Sequence, residues 1–135
     1  MCVDIFDNTI MPGGESLNFA ATISRLTDAK VCIIGAVGND SYGKTVLDSI
    51  KDFNIDKTHI RTENGDTASN RTYLTPDGDR YYKDDSWNGG VFSSFALSAS
   101  DRELLHSSDM VHTTFSGPNF NDVIDCCREK RFPLS

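Results

Sequence analysis

An apolar run at residues 30–37, set between two segments of helical periodicity, constrains the fold of this chain more than any other feature of its sequence. The run, KVCIIGAV, is short and rich in β-branched residues, which is typical of a strand buried on both faces. Small and apolar residues at helical spacing predict a helix over residues 16–26 before it and another over residues 42–53 after it. Because strands that alternate with helices build a parallel sheet, we predict an α/β fold.

The remainder of the chain continues this alternation. Residues 2–6 predict an opening strand, and the glycines of residues 12–14 predict a loop. A Ser-x-x-Asp capping box at residues 98–101 predicts a short helix, and residues 109–115 predict another strand. Apolar residues at i, i+3, i+4 and i+7 from Phe120 then predict an amphipathic helix. A further strand should follow that helix and is missing, so we expect the chain to be part of a larger α/β fold.

The middle of the chain departs from the alternation. Residues 58–91 are polar, rich in turn-forming residues and without helical periodicity. Within them, residues 72–74 and 80–82 predict two strands joined at Asp77-Gly78, a dipeptide favoured in hairpin turns. We therefore predict a small β-sheet inserted into the α/β layout.

Charge and composition exclude several classes of function. The formal net charge is −7, which disfavours binding to phosphate backbones, so we expect no nucleic-acid partner. No run approaches the ~18 apolar residues of a membrane span, and the first residues lack the features of a signal peptide. We therefore expect a cytoplasmic protein with no membrane partner. The four cysteines show no C-x-x-C spacing, and no metal site is predicted.

One loop matches a phosphate-binding motif. Residues 38–45, GNDSYGKT, fit G-x-x-x-x-G-K-[ST] between a predicted strand and a predicted helix. In such a loop the backbone N–H groups cradle phosphates, while Lys44 reaches the terminal phosphates and Thr45 holds Mg²⁺. Asp40 argues against this interpretation because its carboxylate would stand among the phosphates, and no later strand supplies the second magnesium ligand. A P-loop nucleotide-binding protein acting through Gly38 to Thr45 is one alternative function.

A second pair of glycines suggests recognition of a sugar. Gly13 and Gly14 precede a predicted helix and let a ligand approach the backbone closely. Asn18, in the first turn of that helix, offers both a hydrogen-bond donor and an acceptor. This combination suits polyol hydroxyls, which need directional hydrogen bonds and little charge. A purely structural role, a turn for the glycines and a local backbone bond for Asn18, is the other explanation.

Further residues join these glycines in a single pattern. They are Asp4 after the first strand, Gly13-Gly14 with Asn18 and Ala20, Arg25-Leu26, Gly38-Asn39-Asp40 with Gly43, Thr67, and Gly78-Asp79-Arg80. The pattern resembles the pfkB, or ribokinase-like, family of carbohydrate kinases. Phe95-Ala96-Leu97-Ser98 and Asp109-Met110-Val111-His112 resemble its fructoselysine 6-kinase branch. The resemblance covers nearly the whole chain but only the N-terminal half of a family member, and it departs at Ser16, where the family usually has Gly or Ala.

The resemblance implies a fold and a set of binding residues. Residues 1–135 would be the N-terminal part of a carbohydrate kinase domain, a partial ribokinase-like, Rossmann-type sheet that lacks its C-terminal half. The insertion at residues 58–91 would be a β-sheet lid over the sugar. The implied sugar-binding residues are Asp4, Gly13, Gly14, Asn18 and Arg80.

The resemblance also implies ATP-dependent phosphorylation of a sugar such as fructoselysine. ATP and Mg²⁺ are expected for a full-length family member, and neither is expected to bind firmly to this chain. The family's catalytic base is the aspartate of a Gly-Ala-Gly-Asp motif, which we expect beyond Ser135, so no catalytic residue is assigned. The chain alone is then an inactive kinase fragment, or alternatively a non-catalytic sugar-binding remnant. Pairing of family members through their lids makes a homodimer the expected assembly.

Overall fold

The structure, a computed structural model, describes residues 1–7, 9–114, 117–130 and 133. Nine strands, four α-helices and one 3-10 helix lie within these ranges. The strands are β1 (Cys2–Phe6), β2 (Thr9–Gly13), β3 (Val31–Cys32), β4 (Gly35–Gly38), β5 (Ile55–Asp56), β6 (Ile60–Glu63), β7 (Ser69–Leu74), β8 (Arg80–Tyr81) and β9 (Trp87–Asn88). The α-helices are α1 (Glu15–Leu26), α2 (Ser41–Ser49), α3 (Ala99–Ser107) and α4 (Phe120–Lys130), and the 3-10 helix is Gly90–Ser94.

Parallel strand pairs with helices on both sides form the inner part of the molecule. β3 pairs with β5, and β4 pairs with β6, both in parallel. Ile33 and Val37 point into an apolar cluster with residues of α1 and α2. Ile34 and Ala36 point the other way, into clusters with residues of the 3-10 helix, α3 and α4. Because these strands are buried on both faces, the predicted α/β fold is confirmed.

A mixed sheet of five strands extends from this core, and we call it the outer sheet. Its strand order is β2-β1-β7-β8, with β9 also paired to β7. β1 and β7 run parallel, whereas β2, β8 and β9 are antiparallel to their neighbours. The hairpin predicted at Asp77-Gly78 is confirmed, since Leu74 of β7 lies opposite Arg80 of β8. Gly78 has φ +88°, which only glycine adopts without strain.

Two predicted helices are confirmed, one of them by the local chemistry at its start. α1 occupies Glu15–Leu26, one residue longer than predicted. At the start of α3, the Ser98 hydroxyl accepts a hydrogen bond from the Asp101 N–H, and the Asp101 carboxylate accepts one from the Ser98 N–H. This is the predicted capping box, and it satisfies two backbone donors that a helix start leaves free.

Several predicted boundaries are wrong because strand pairing depends on distant partners. The run at 30–37 is two strands, because β3 and β4 pair with different neighbours. Pro12 and Gly13 belong to β2 and not to a loop; proline is tolerated there because β2 is an edge strand. In the predicted strand 109–115 only Val111 makes a β-bridge, and residue 115 lies outside the described residues.

Two further segments have boundaries that differ from the prediction. α2 stops at Ser49 and not at residue 53, because the backbone tightens to three-residue hydrogen bonds from Ile50 N–H to Leu47 and from Phe53 N–H to Ile50. The insertion predicted at 58–91 begins later, since β6 pairs with β4 in the inner sheet.

Candidate functional site

One face of the outer sheet carries most of the residues predicted to bind a ligand. Side chains that lie opposite one another in a sheet share a face, and alternate residues of a strand return to it. Asp4 lies opposite Met11 on one side and Asn70 on the other, and Asn70 lies opposite Trp87. Thr72, two residues beyond Asn70 on β7, lies opposite Phe6 of β1. Leu74, two residues further on, lies opposite Arg80 of β8, so both pairs belong to the same face. We call this surface the Asp4 face: Asp4, Phe6, Met11, Gly13, Asn70, Thr72, Leu74, Arg80 and Trp87.

The Asp4 carboxylate is partly buried and makes no hydrogen bond to any described residue. Desolvation by the surrounding protein raises its pKa, and the positive charge of Arg80 acts in the opposite direction. A partly desolvated carboxylate with free lone pairs is a strong acceptor for hydroxyl groups that arrive with a ligand.

Gly13 and Gly14 leave room beside this carboxylate. A Cβ on Gly13 would overlap the Asp4 carboxyl group. The Gly13 backbone therefore lies closer to the Asp4 side chain than a residue with a Cβ would permit. Gly14 has φ +104° and lets the chain turn from β2 directly into α1. No side chain caps the start of α1, so none of its first N–H groups is taken by a cap. The structure thus brings three of the predicted residues together.

Arg80 lies at the far end of the same face. Its guanidinium carbon is 5.5 Å from the centre of the Phe6 ring, a distance at which a cation is attracted to an aromatic face. Among the described residues no carboxylate lies within ion-pair distance of Arg80. The charge of Arg80 is therefore available to a ligand.

Asn18 is placed differently from the other predicted binding residues. It lies one turn into α1 and lines a depression of about 140 Å³ between α1 and α2, together with Pro12, Ile50 and Phe53. Its own backbone bonds are those of an ordinary helix, with its N–H donating to Gly14 and its carbonyl accepting from the Thr22 hydroxyl. Within the described ranges no hydrogen bond joins Asn18 to Asp4, so its part in the site stays a prediction.

The P-loop interpretation meets a structural obstacle at Asp40. The Asp40 carboxylate occupies the N-terminus of α2, where it accepts hydrogen bonds from Gly43 N–H at 2.8 Å, Thr67 N–H at 2.9 Å and the Thr67 hydroxyl at 2.6 Å. These bonds lower the pKa of Asp40 despite the opposing effect of burial. The position that a phosphate would take is filled by the chain's own anion.

The other two motif residues are also engaged elsewhere. Lys44 is exposed and lies 3.4 Å from Asp48, one turn along α2. The Thr45 hydroxyl donates to the Ser41 carbonyl at 3.0 Å, as threonines inside helices commonly do. The arrangement is that of a capped helix and does not form a phosphate cradle.

Sequence reasoning missed part of the Asp4 face. Asn70, Phe6 and Met11 reach it only because β1 pairs with β7 across more than sixty residues of chain and with β2 across a short turn. Asn70 makes no side-chain hydrogen bond to a described residue, so it joins Asp4 as a free polar group. The sequence of β7, SNRTYL, does not alternate between polar and apolar residues, so no local signal pointed to Asn70.

Comparisons with known proteins agree on one family. The model of the pfkB family carbohydrate kinases matches residues 4–134. The chain is 34% identical over 118 residues to the fructoselysine 6-kinase of Escherichia coli (strain K12), covering 86% of this chain and 44% of that protein. It is 28% identical over 121 residues to the fructosamine kinase FrlD of Bacillus subtilis (strain 168), covering 88% of this chain and 42% of that protein.

Solved structures show the same likeness in fold. Arabidopsis thaliana ribokinase complexed with ribose and ATP superposes with a TM-score of 0.84 at 18% identity, covering 98% of this chain and 49% of that one. Thermotoga maritima ribokinase gives a TM-score of 0.79 at 16% identity and 48% coverage of its chain. The chain thus spans about half the length of the relatives it matches. Among its described residues no helix is long and apolar enough to cross a membrane.

Proposed function

Because the chain belongs to the pfkB family of carbohydrate kinases, we propose that it provides the sugar-binding part of a cytoplasmic, ATP-dependent sugar kinase. The substrate we propose is a fructosamine such as fructoselysine. The observation that carries the proposal is the Asp4 carboxylate, which is partly desolvated, free of hydrogen bonds to described residues, and held against Gly13. The choice of sugar is supported by two relatives, a fructoselysine 6-kinase and a fructosamine kinase, which are 34% and 28% identical to this chain.

In this proposal Asp4 accepts hydrogen bonds from sugar hydroxyls while Gly13 and Gly14 let the ring lie against the backbone. The uncapped N–H groups at the start of α1 can donate to other sugar oxygens. The outer sheet, together with the part of residues 58–91 that follows β6, would act as the lid that covers the sugar and excludes water. Excluding water matters because water would otherwise compete for the transferred phosphoryl group. Asn18 and Arg80 complete the proposed set of substrate-binding residues, with Arg80 at the end of the face away from Asp4.

The described residues do not fit ATP and Mg²⁺. The one loop with a phosphate-binding pattern holds the Asp40 carboxylate in the phosphate position. No group of three potential metal ligands is found among the described residues. We therefore assign no step of phosphoryl transfer to these residues, and we propose that the 135 residues bind the sugar without phosphorylating it.

On the opposite face of the outer sheet, Val3 and Ile5 are buried in the core, and the exposed remainder of that face is the proposed contact between two copies of the chain. Ile10 and Tyr81 point to that face and are 42% and 41% exposed, a large fraction for apolar side chains. The expected assembly is a homodimer paired through the outer sheets. Light scattering after size exclusion should give about twice the 14.9 kDa chain mass, and a monomer at all concentrations would contradict the pairing.

The sugar proposal is tested by calorimetric titration of the full chain with fructoselysine, without nucleotide. We expect saturable binding that Asp4→Asn weakens at least about tenfold, since a charged acceptor is replaced by a neutral amide. Asp7→Asn is the matched control: Asp7 is exposed in the turn after β1, at φ 49°, a conformation that asparagine adopts readily. Equal binding by the wild type and Asp4→Asn would refute the assigned site. ADP release in the presence of ATP, Mg²⁺ and sugar would refute the proposed inactivity.

A further inference from the structure

We propose that Arg80 binds a carboxylate that the substrate carries outside its sugar ring, so that the Asp4 face selects a sugar joined to an amino acid over the free sugar. The inference rests on the proposed function, because it takes the sugar itself to lie at Asp4. It adds a specificity-determining residue and the chemical class of group that this residue reads.

The positions of the two charges on the outer sheet support two separate subsites. Asp4 lies beside Asn70, and Arg80 lies beside Leu74, on opposite sides of β7. Their backbone partners are four residues apart along β7, a span of about 13 Å, and the Arg80 guanidinium rests over Phe6, two residues from Asp4 on β1. The two side chains also form no ion pair within 4 Å, although Arg80 is close enough to influence the ionisation of Asp4. A ligand can therefore meet the two groups with two different parts.

The charge pattern of the face decides which chemistry fits each end. Arg80 is the one cationic side chain among the residues of the Asp4 face defined above. Two carboxylates shortly precede it in sequence, Asp77 and Asp79, yet both are exposed and neither pairs with it in the described structure. The Phe6 ring lies 5.5 Å from the guanidinium carbon and gives the guanidinium a face to rest on.

A planar guanidinium presents a fork of N–H donors that matches the two oxygens of a carboxylate. The same carboxylate would be repelled at Asp4, where hydroxyl or ammonium groups are favoured instead. The two ends of the face thus orient a substrate whose sugar and carboxylate lie apart. A free sugar would use the Asp4 end alone.

The test compares three ligands by titration calorimetry on the full chain: fructoselysine, the same compound with its carboxylate converted to a carboxamide, and fructose. The wild type should bind fructoselysine about tenfold more tightly than the carboxamide, the effect of one charge-assisted hydrogen-bond pair. Arg80→Gln should remove that difference and leave carboxamide binding unchanged. Arg71→Gln is the matched control, since Arg71 is exposed on the adjacent strand and points to the opposite face. It should behave as the wild type.

Each result decides between the two proposals. If Arg80→Gln lowers the affinity for fructoselysine and for its carboxamide equally, or changes neither affinity, the carboxylate subsite is refuted while sugar binding at Asp4 stands. If Arg71→Gln removes the preference, the subsite lies on the other face and the inference is wrong. If the wild type binds none of the three ligands, the proposed function fails together with the inference. Thermal unfolding of each variant, expected to match the wild type because both arginines are exposed, confirms that the fold is intact.

Discussion

Replacing Asp40 with alanine tests whether the glycine loop before α2 is a structural cap or a phosphate site. The Asp40 carboxylate accepts three hydrogen bonds, from Gly43 N–H, Thr67 N–H and the Thr67 hydroxyl. The same hydroxyl donates to Asp40 and accepts from Gly38 N–H at 2.8 Å, so the cap links α2, β4 and the segment before β7. Thr67 is 1% exposed, and water cannot replace the lost acceptor.

The magnitude follows from these bonds. Loss of a helix N-cap costs about 1 kcal/mol. An unsatisfied buried donor at Thr67 adds about 1–3 kcal/mol. The free energy of unfolding should therefore fall by about 2–4 kcal/mol, a large part of the ~5–15 kcal/mol typical of a domain. Asp40→Asn, which keeps one acceptor oxygen, should lose about half as much.

Urea unfolding followed by circular dichroism measures this loss, with Lys44→Ala as the comparison variant. Lys44 makes only an exposed ion pair with Asp48, so its replacement should change the free energy of unfolding by less than about 1 kcal/mol. The reasoning is refuted if Asp40→Ala is as stable as the wild type. It is also refuted if the wild type binds ATP and Lys44→Ala abolishes that binding, because the loop would then be a P-loop.

Three further predictions concern stability and the sugar site. Gly13→Ala places a Cβ against the Asp4 carboxylate and should weaken fructoselysine binding about tenfold or more in calorimetry; unchanged affinity would mean that Asp4 does not touch the sugar. Asp101→Asn should lower the free energy of unfolding by about 1–3 kcal/mol, because Asp101 is 3% exposed and its carboxylate lies 2.7 Å from His59 Nδ1. Urea unfolding measures this loss, and the comparison variant His106→Gln, on the partly exposed side of α3, should lower the free energy of unfolding by less. Burial opposes ionisation of Asp40 and Asp101, but their hydrogen bonds outweigh it and leave both pKa values lowered. Their stabilising effect is therefore complete above about pH 4, the unfolded pKa, and is lost as the pH falls through the folded values, so the deficit of Asp40→Ala should shrink in acid; a constant deficit from pH 7 to pH 2 would contradict this.

Local chemistry made the start of α3 and the hairpin predictable. A capping box needs only residues three apart, and Ser98 with Asp101 supplied them. The turn at Asp77-Gly78 needs a residue that accepts positive φ, and Gly78 provides it. Such signals are short-range, so the sequence carries them without knowledge of the fold.

The contacts that sequence could not reveal are those between distant strands. Nothing local predicts that β1 pairs with β7, yet this register places Asn70 and Trp87 beside Asp4. The repulsion between Asp40 and a phosphate was predictable from charge, whereas its partner Thr67, twenty-seven residues away, was not. The binding role of Asn18 was predicted from its place after Gly13 and Gly14. Its position near Ile50 depends on how α1 lies against α2, which the sequence does not reveal.

The central claim is that the sugar binds on the Asp4 face, and nuclear magnetic resonance locates a bound ligand most directly. Fructoselysine is added to the isotopically labelled full chain, and amide and indole shifts are followed. We predict changes concentrated at Gly13, Gly14, Asn70 and the indole N–H of Trp87, the single tryptophan, which is 52% exposed on this face. Changes confined to residues 38–45, at the start of α2, would contradict the account.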